Sequence, residues 1–420
     1  MADMSISGVS ISGGFTLTLP PTVPGAPTIG TATATGATTA TVTFTAPVNN
    51  GGATITSYTA TSSPGGVTGT LNQAGSGTIN VTGLSGSTTY TFTVTATNSA
   101  GTSSPSASSN SITTQSIIPV RKAIFGFGNP GGAPTSITNL VSDTGVVATD
   151  TAGVATGRRD VAAAGYGGDK AIFGYGANSS GSSVSITNLV SNTGVVATDT
   201  TGVGTARQSL AAAGYGTDKA IFGYGQDSAT GNYTSISNLV SNTGVVATDT
   251  TGVGANRGFL AASGYGSSGQ AIFGYGVTNS GAPSYIETTY SLTNLVSNTG
   301  VVASNTTGVG TVRYSLAAAS YGTDKAIFGF GFIPAVGNTS ITNKVSNTGV
   351  VATDTTGVGT GRQGLAAAGY DTDKAIFGYG EQNSGLTSIT NLVSNTGVVS
   401  NDVTGVGSAR YRLAATSYSA

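Results

Sequence analysis

An arginine recurs six times in the C-terminal part of the chain, at Arg158, Arg207, Arg257, Arg313, Arg362 and Arg410. An aspartate accompanies five of them (Asp150, Asp199, Asp249, Asp354, Asp402), and Asn305 stands at that place in the remaining copy. A planar guanidinium binds carboxylates and sulfates through paired N–H groups. Two chemistries are therefore open. The six could form a ring that holds an anionic sugar or a sulfate. Alternatively each could be structural, bonding strand ends or pairing with its own acid, and one acid per arginine favours such local pairing. The rest of the inventory is narrow. There is no cysteine and no histidine, so thiolate sites and the commonest general base are missing. The only glutamates, Glu287 and Glu381, fall in loops, and no carboxylate pair for glycoside hydrolysis is visible. Catalytic, cofactor-binding and metal-ligating residues are all expected to be none, and the protein is expected not to be an enzyme. Fifteen Lys+Arg against 16 Asp+Glu, without clustering, argue against nucleic-acid binding.

The arginines sit in a repeated phrase. Ala-Ile-Phe-Gly-(Phe/Tyr)-Gly begins at Ala123, Ala171, Ala220, Ala271, Ala326 and Ala375. A variable stretch follows, then Ser-Ile-Thr-Asn-Leu-Val-Ser-Asn-Thr-Gly-Val-Val or a close variant, the arginine, and an Ala-rich run ending in Tyr. Each copy predicts four β-runs, for example 161–166, 170–175, 185–190 and a fourth from Val195. Ser191-Asn192-Thr193-Gly194 is read as a hairpin turn whose glycine takes a positive φ. A four-stranded unit of about 50 residues, repeated, predicts a β-propeller. The first copy lacks its Ala-rich strand, and a spare one, Leu413–Tyr418, ends the chain. The C-terminal strand is thus expected to close a six-bladed ring by completing the first blade, which removes exposed edges. The Asp-Lys turns (Asp218-Lys219, Asp324-Lys325) read as solvated, and the Asn of Thr-Asn-Leu as bonding neighbouring backbone.

Compared with one another, the copies differ most in the stretch after the Gly-(Phe/Tyr)-Gly phrase and in the two residues after each arginine. Strand alternation puts both sets on one face. Drift in unconstrained loops and a ligand-reading face both account for this. The candidate ligand-facing residues are Tyr233, Tyr285, Tyr290, Tyr314, Phe332 and Tyr411, aromatics suited to stacking on sugars or a protein partner.

The N-terminal third is different. From residue 4 to residue 120 there is no charged side chain. Alternating runs such as Thr41-Val42-Thr43-Phe44 and Thr91-Phe92-Thr93-Val94 predict half-buried strands. Pro24-Gly25-Ala26-Pro27, Ala40–Pro47 with Phe44 in place of the usual tryptophan, Ile55 and Tyr58, and Leu84 with Tyr90 at a corner resemble a fibronectin type III domain over residues 24–115. The resemblance implies a two-sheet sandwich with Phe44 and Tyr58 in its core, serving as a neutral spacer. Residues 1–23 read as an N-terminal anchoring segment and 116–121 as a linker before a propeller spanning 122–420. The fold class expected is all-β: an immunoglobulin-like (fibronectin type III) sandwich followed by a six-bladed β-propeller.

The order of glycine-ended strand, two further strands and arginine resembles kelch propellers, although the glycines are spaced Gly174-Tyr175-Gly176 and tryptophan is absent. Sialidases also carry arginines and tyrosines on six blades, but their Asp-box is not matched by Ser-Asn-Thr-Gly-Val-Val. The repeat phrases together with the sandwich resemble structural proteins of marine, cyanophage-like tailed phages. That resemblance implies a virion appendage, a fibre, spike or decoration whose propeller contacts a host-surface glycan or protein. It would attach to other virion proteins through the N-terminal segment or the sandwich. Two alternatives stay open: a capsid or tail decoration protein that only coats the particle, and a bacterial surface adhesin. No apolar stretch of 18 residues occurs, so membrane insertion is not expected, and the N-terminus has no secretory signal pattern. A virion protein made in the host cytoplasm and released by lysis fits both observations.

Overall fold

The computed structural model describes residues 19–114, 120–279 and 287–419. Residues 1–18 of the anchoring segment, most of the linker, and Tyr285 lie outside the described residues. The described chain is all β, with no helix, and divides into two compact units, Met1–Ile118 and Pro119–Ala420.

In the first unit, alternation of small β-formers with apolar residues produces strands β1 (Thr28–Ala34), β2 (Thr39–Thr45), β3 (Ser57–Ser63), β4 (Thr68–Leu71), β5 (Gly77–Thr82), β6 (Thr89–Asn98), β7 (Gly101–Thr102) and β8 (Ile112–Thr113). They form two sheets, β1-β2-β5 and β4-β3-β6-β7, with β8 also on β6. Tyr90, Phe92, Val94 and Ala96 of β6 point inward, and the rings of Phe44 and Tyr58 meet at 4.2 Å. Ile55 is buried just ahead of β3. The Tyr90 hydroxyl accepts the Ser85 N–H at 2.9 Å, tying the corner to its strand.

Beyond β7 the chain stays on β6 by an unusual device. Ser103, Ser106 and Ser109 donate their N–H groups to the carbonyls of Ala96, Val94 and Phe92. Their hydroxyls accept the N–H groups of the same three residues at 2.9–3.0 Å. Residues three apart thus match strand residues two apart, so this segment advances only about 2.3 Å per residue, less than the roughly 3.4 Å of a strand or the roughly 3.1 Å of a polyproline helix. Each serine hydroxyl takes the place of a ladder carbonyl.

The second unit contains six three-stranded antiparallel sheets, numbered here as units by their middle strands. The middle strands are Arg121–Gly126, Lys170–Gly174, Lys219–Gly223, Gln270–Gly274, Lys325–Gly329 and Lys374–Gly378. The inner strands of units 2 to 6 are Ala162–Tyr166, Ala211–Tyr215, Ala261–Tyr265, Ala317–Tyr321 and Ala366–Tyr370; unit 1 receives Ala414–Ser419 from the end of the chain. The third strands run from Thr138–Val141 to Thr390–Val393. The expected fourth strand does not form a continuous ladder. In unit 2 it makes two isolated bridges, Val190↔Val196 and Thr187↔Thr200. Between the bridges, two residues on one side face three on the other, so a bulge interrupts the pairing. The turn before it forms as expected, with Gly194 at φ 80°. Three of the variable stretches, expected as loops, carry short hairpins, such as Phe332–Ile333 with Gly337–Asn338.

Neighbouring units interlock through the glycine-aromatic phrase. Phe222 of unit 3 lies 5.1 Å from Tyr175 of unit 2, and a Cβ on Gly174 would stand 2.7 Å from the Phe222 ring. Only glycine leaves room there. The same contact joins each unit to the next, and Tyr379 of unit 6 meets Phe125 of unit 1 at 5.1 Å. Both rings are fully buried in each such pair. A single three-stranded sheet has no second layer, so these shared rings are its core.

Candidate functional site

The six repeat arginines are all 0% exposed. Arg207 shows the arrangement. Its Nε donates to the Tyr224 carbonyl (2.9 Å), Nη1 to the Thr205 carbonyl (3.1 Å) and Nη2 to Asn238 Oδ1 (2.7 Å). Its guanidinium carbon lies 4.8 Å from the centroid of the Tyr175 ring of the preceding unit. Asn238 in turn donates to the Ala247 carbonyl and to Asp249, and Asp249 accepts the backbone N–H and hydroxyl of Thr205. Arginine, asparagine, aspartate and threonine thus form one latch that pins the chain arriving from unit 2. The direct Arg–Asp approach is loose, 3.6 Å in this unit. Asparagine, rather than the acid, is the close partner. Burial lowers the Arg362 guanidinium to about 10, which leaves it charged at neutral pH. Arg158 and Arg257 sit rotated in their latches, each with Nε unpaired. With no exposed surface, these guanidiniums have no face left for a ligand.

The aromatic that carries each latch, such as Tyr175, has a positive φ of 62° and is fully buried. Four of the six are tyrosines whose hydroxyls donate to a valine carbonyl, as Tyr175 does to Val203 at 3.0 Å. Burial pushes the Tyr175 phenol up to about 12.

The second residue after each arginine has a separate role. Asp160, Ser209, Phe259, Ser315, Gly364 and Arg412 all have φ between 53° and 59°. The N–H of each donates to the carbonyl of the equivalent residue in the preceding unit, at 2.6–3.1 Å, and Asp160 donates to Arg412. Six bonds therefore form a closed cycle at the start of the inner strands. A second cycle of six, at 2.7–3.0 Å, links their far ends, including Asp371 N–H to the Arg121 carbonyl and Ser419 N–H to the Asp169 carbonyl.

Although the first cycle is uniform in backbone, its side chains differ. Asp160 is buried, with Arg412 Nη1 at 3.4 Å and Arg159 Nε at 3.6 Å from its Oδ2. Burial raises the Asp160 pKa, and the charges of Arg412 and Arg159 oppose the rise. The Arg412 guanidinium lies 5.1 Å from the Tyr411 ring and 5.6 Å from that of Phe259, which belongs to the unit three places round the cycle. Phe259 meets Tyr314 at 6.2 Å, and Tyr314 meets Phe332 at 5.4 Å. Tyr233 packs against Gly258, where a Cβ would stand 2.4 Å from its ring. Burial pushes the Tyr233 phenol up to about 12, helped by Glu287 and Tyr314.

Of the aromatics singled out in the sequence, Tyr233, Tyr314, Phe332 and Tyr411 therefore gather around Arg412. Tyr290 goes elsewhere: its N–H donates to the Gly276 carbonyl and its phenol bears on the buried Arg257. Asp160, Phe259 and Arg412 were not among the residues singled out, although they belong to the variable pairs after the arginines that comparison of the copies places on one face. A half-exposed guanidinium flanked by aromatic rings suits a sugar or an anionic group.

Comparison with known families bears on the first unit. The fibronectin type III domain family matches residues 25–112. That segment is a fibronectin type III domain. The sandwich topology, the Phe44–Tyr58 core and the Tyr90 corner of this fibronectin domain are those described above, and its phenylalanine stands where tryptophan is usual. No curated protein matches the chain.

Proposed function

We propose that the second unit is a six-bladed, kelch-like β-propeller and that the protein is a non-enzymatic recognition appendage of a phage virion. In this reading the fibronectin domain is a neutral spacer. The propeller reads a host-surface glycan or protein with the face bearing Arg412, Phe259, Tyr314 and Phe332. The two cycles of backbone bonds, the aromatic pairs from every unit to the next, and the C-terminal strand in the first sheet all support a ring of six. The virion setting rests on the sequence resemblance alone.

One observation carries the recognition role. Six turns share a positive φ and one hydrogen-bonding pattern, yet hold Asp, Ser, Phe, Ser, Gly and Arg. Positive φ is costly for non-glycine residues, and most of all for a bulky one such as Phe259. Selection for stability alone would favour glycine at every such turn, as at Gly364. Retaining an aromatic and two charges there favours a binding face over drift.

The test combines localisation with adsorption. Electron microscopy of intact particles should find the protein on the virion. Particles carrying Arg412→Ala with Phe259→Ser should adsorb to host cells at least about tenfold less, as expected when an interface loses its anchors. Normal adsorption with altered particle integrity would instead establish a coat role. Absence from particles would remove the virion assignment.

A further inference from the structure

The far end of the inner strands, opposite the Arg412 cluster, encloses a cavity of ≈ 390 Å³. Its walls are the small residues of the six inner strands, including Gly165, Gly214, Gly264, Ser320, Gly369 and Ser417. Small residues alone specify nothing, but two features at the mouth break the repeat. The first is Arg121. Units 2, 3, 5 and 6 carry Asp169, Asp218, Asp324 and Asp373 at its position. The second is Gln270, where every other unit carries lysine.

These two residues also lack the acid partner that the lysines around them have. Lys170, Lys219 and Lys325 line the same cavity, but each amine lies 2.7–2.9 Å from the acid beside it. Asp371 is likewise held by Lys374 at 2.6 Å. Among the described residues, Arg121 has no carboxylate within 4 Å. Its guanidinium donates to the Thr372 and Asp371 carbonyls and to the Ser320 hydroxyl. Arginine has five N–H donors, so two remain unused. Burial lowers its pKa, while Asp373 and Asp371 support its charge. Gln270 also lines the cavity; its Oε1 is turned inward beside Gly266, which leaves its amide nitrogen as the group free to meet a ligand. Unit 4 lies three places from unit 1 in either direction round the cycle, so the two residues face each other across the cavity.

We propose that this cavity binds a small polyhydroxylated carboxylate of the uronic-acid class. The carboxylate would take the two free N–H groups of Arg121. Ligand hydroxyls would accept from the Gln270 amide nitrogen and exchange hydrogen bonds with Ser320 and Ser417. A neutral sugar would leave the guanidinium unpaired, and a simple acid would leave the Gln270 amide N–H groups unpaired. Both losses are costly in a confined site.

The probe is D-glucuronate, titrated calorimetrically into the full chain, with glucose and acetate as comparisons. Saturable glucuronate binding with Kd of about 1 mM or tighter is expected, and at least about tenfold weaker binding of the other two. Arg121→Asp, which installs the residue of four other units, should abolish binding. Arg121→Lys should weaken it about tenfold or more, because the ammonium lacks the paired donors. Gln270→Met should bring glucuronate to the level of acetate. Melting curves will establish that each variant is folded. Arg412→Ala should leave glucuronate binding unchanged. Absent binding to the unaltered chain, equal binding by folded Arg121→Asp, or loss with Arg412→Ala would each overturn the proposal.

Discussion

Arg410 donates from Nη2 to Asn139 Oδ1 at 2.7 Å, although 271 residues separate them. Arg207 makes the same bond to Asn238 at 2.7 Å across 31 residues. The geometry is indifferent to sequence distance. Ser408 likewise delivers its N–H and hydroxyl to Asp150, as Thr205 does to Asp249. The last copy therefore meets the first as any copy meets its neighbour.

This equivalence makes the latch testable. Replacing Arg207 by Met strands the Tyr224 carbonyl and Asn238 Oδ1 in a buried site. Breaking one side of a buried charged network typically costs about 3–5 kcal/mol. Arg207→Lys should recover little of this, since one ammonium cannot serve acceptors in three directions and stack on Tyr175. Urea denaturation of the full chain measures both, and a loss below about 1 kcal/mol for the Met variant would contradict the role assigned to the latch.

One unit has exchanged two latch members together. Where the others pair Asp with a Thr or Ser hydroxyl, unit 4 pairs Asn305 with Ala255, whose N–H alone reaches Asn305 Oδ1 at 3.2 Å. The two changes should be coupled. Asn305→Asp together with Ala255→Thr should be more stable than the sum of the single changes by about 0.5–3 kcal/mol in a double-mutant cycle. Additive effects would show that the hydroxyl and the carboxylate act independently.

The serine ladder of the fibronectin domain predicts a selective loss. Ser106→Ala removes the acceptor of the Val94 N–H in the interior, at a cost of about 1–3 kcal/mol. Ser108→Ala, at an exposed position between two ladder serines, should be within about 0.5 kcal/mol of the unaltered protein. Thermal unfolding of the two variants side by side is the measurement, and equal effects would rule the ladder out as the cause.

Acid should unfold the repeat unit through its latches. Burial pushes Asp402 upward, but the hydroxyl and N–H of Thr360, the amide of Asn391 and the charge of Arg362 prevail and hold it below 3.8. Asp150, Asp199, Asp249 and Asp354 are lowered in the same way. A depressed folded pKa adds stability that is complete above the unfolded value, about 3.9, and is lost as pH falls through the folded value. Asp160 has the opposite sign. Burial raises it, so its contribution declines as pH rises above the unfolded value. Five groups outweigh one, so the melting temperature should fall steadily between about pH 4 and pH 2. Asp402→Asn should make that fall shallower, and an unchanged slope would remove Asp402 from the account.

Much of this was legible in the chain. The alternation of Phe92, Val94 and Ala96 marked a half-buried strand, because a strand has two faces and only one met a core. Gly-(Phe/Tyr)-Gly marked the end of a strand, and Leu413–Tyr418 was recognisable as the strand missing from the first copy. The Ser103, Ser106 and Ser109 ladder was not legible, since a period of three matches neither strand nor helix and has meaning only against the N–H groups of β6. Nor was the interrupted fourth strand, whose bulge depends on pairing with its neighbour rather than on its own residues.

The sequence by itself determined the repeat, the all-β character and the one arginine per copy, because these follow from residue type and spacing along the chain. Only the tertiary structure decided what the arginines do. Burial and hydrogen-bond direction turn them inward to Asn238 and its equivalents, and neither property exists until neighbouring units pack. It also decided that Asp160, Phe259 and Arg412, far apart in the chain, share one cycle and one face. A positive φ in six turns aims their side chains together, and that register is set by the contacts between units and not by any one of them.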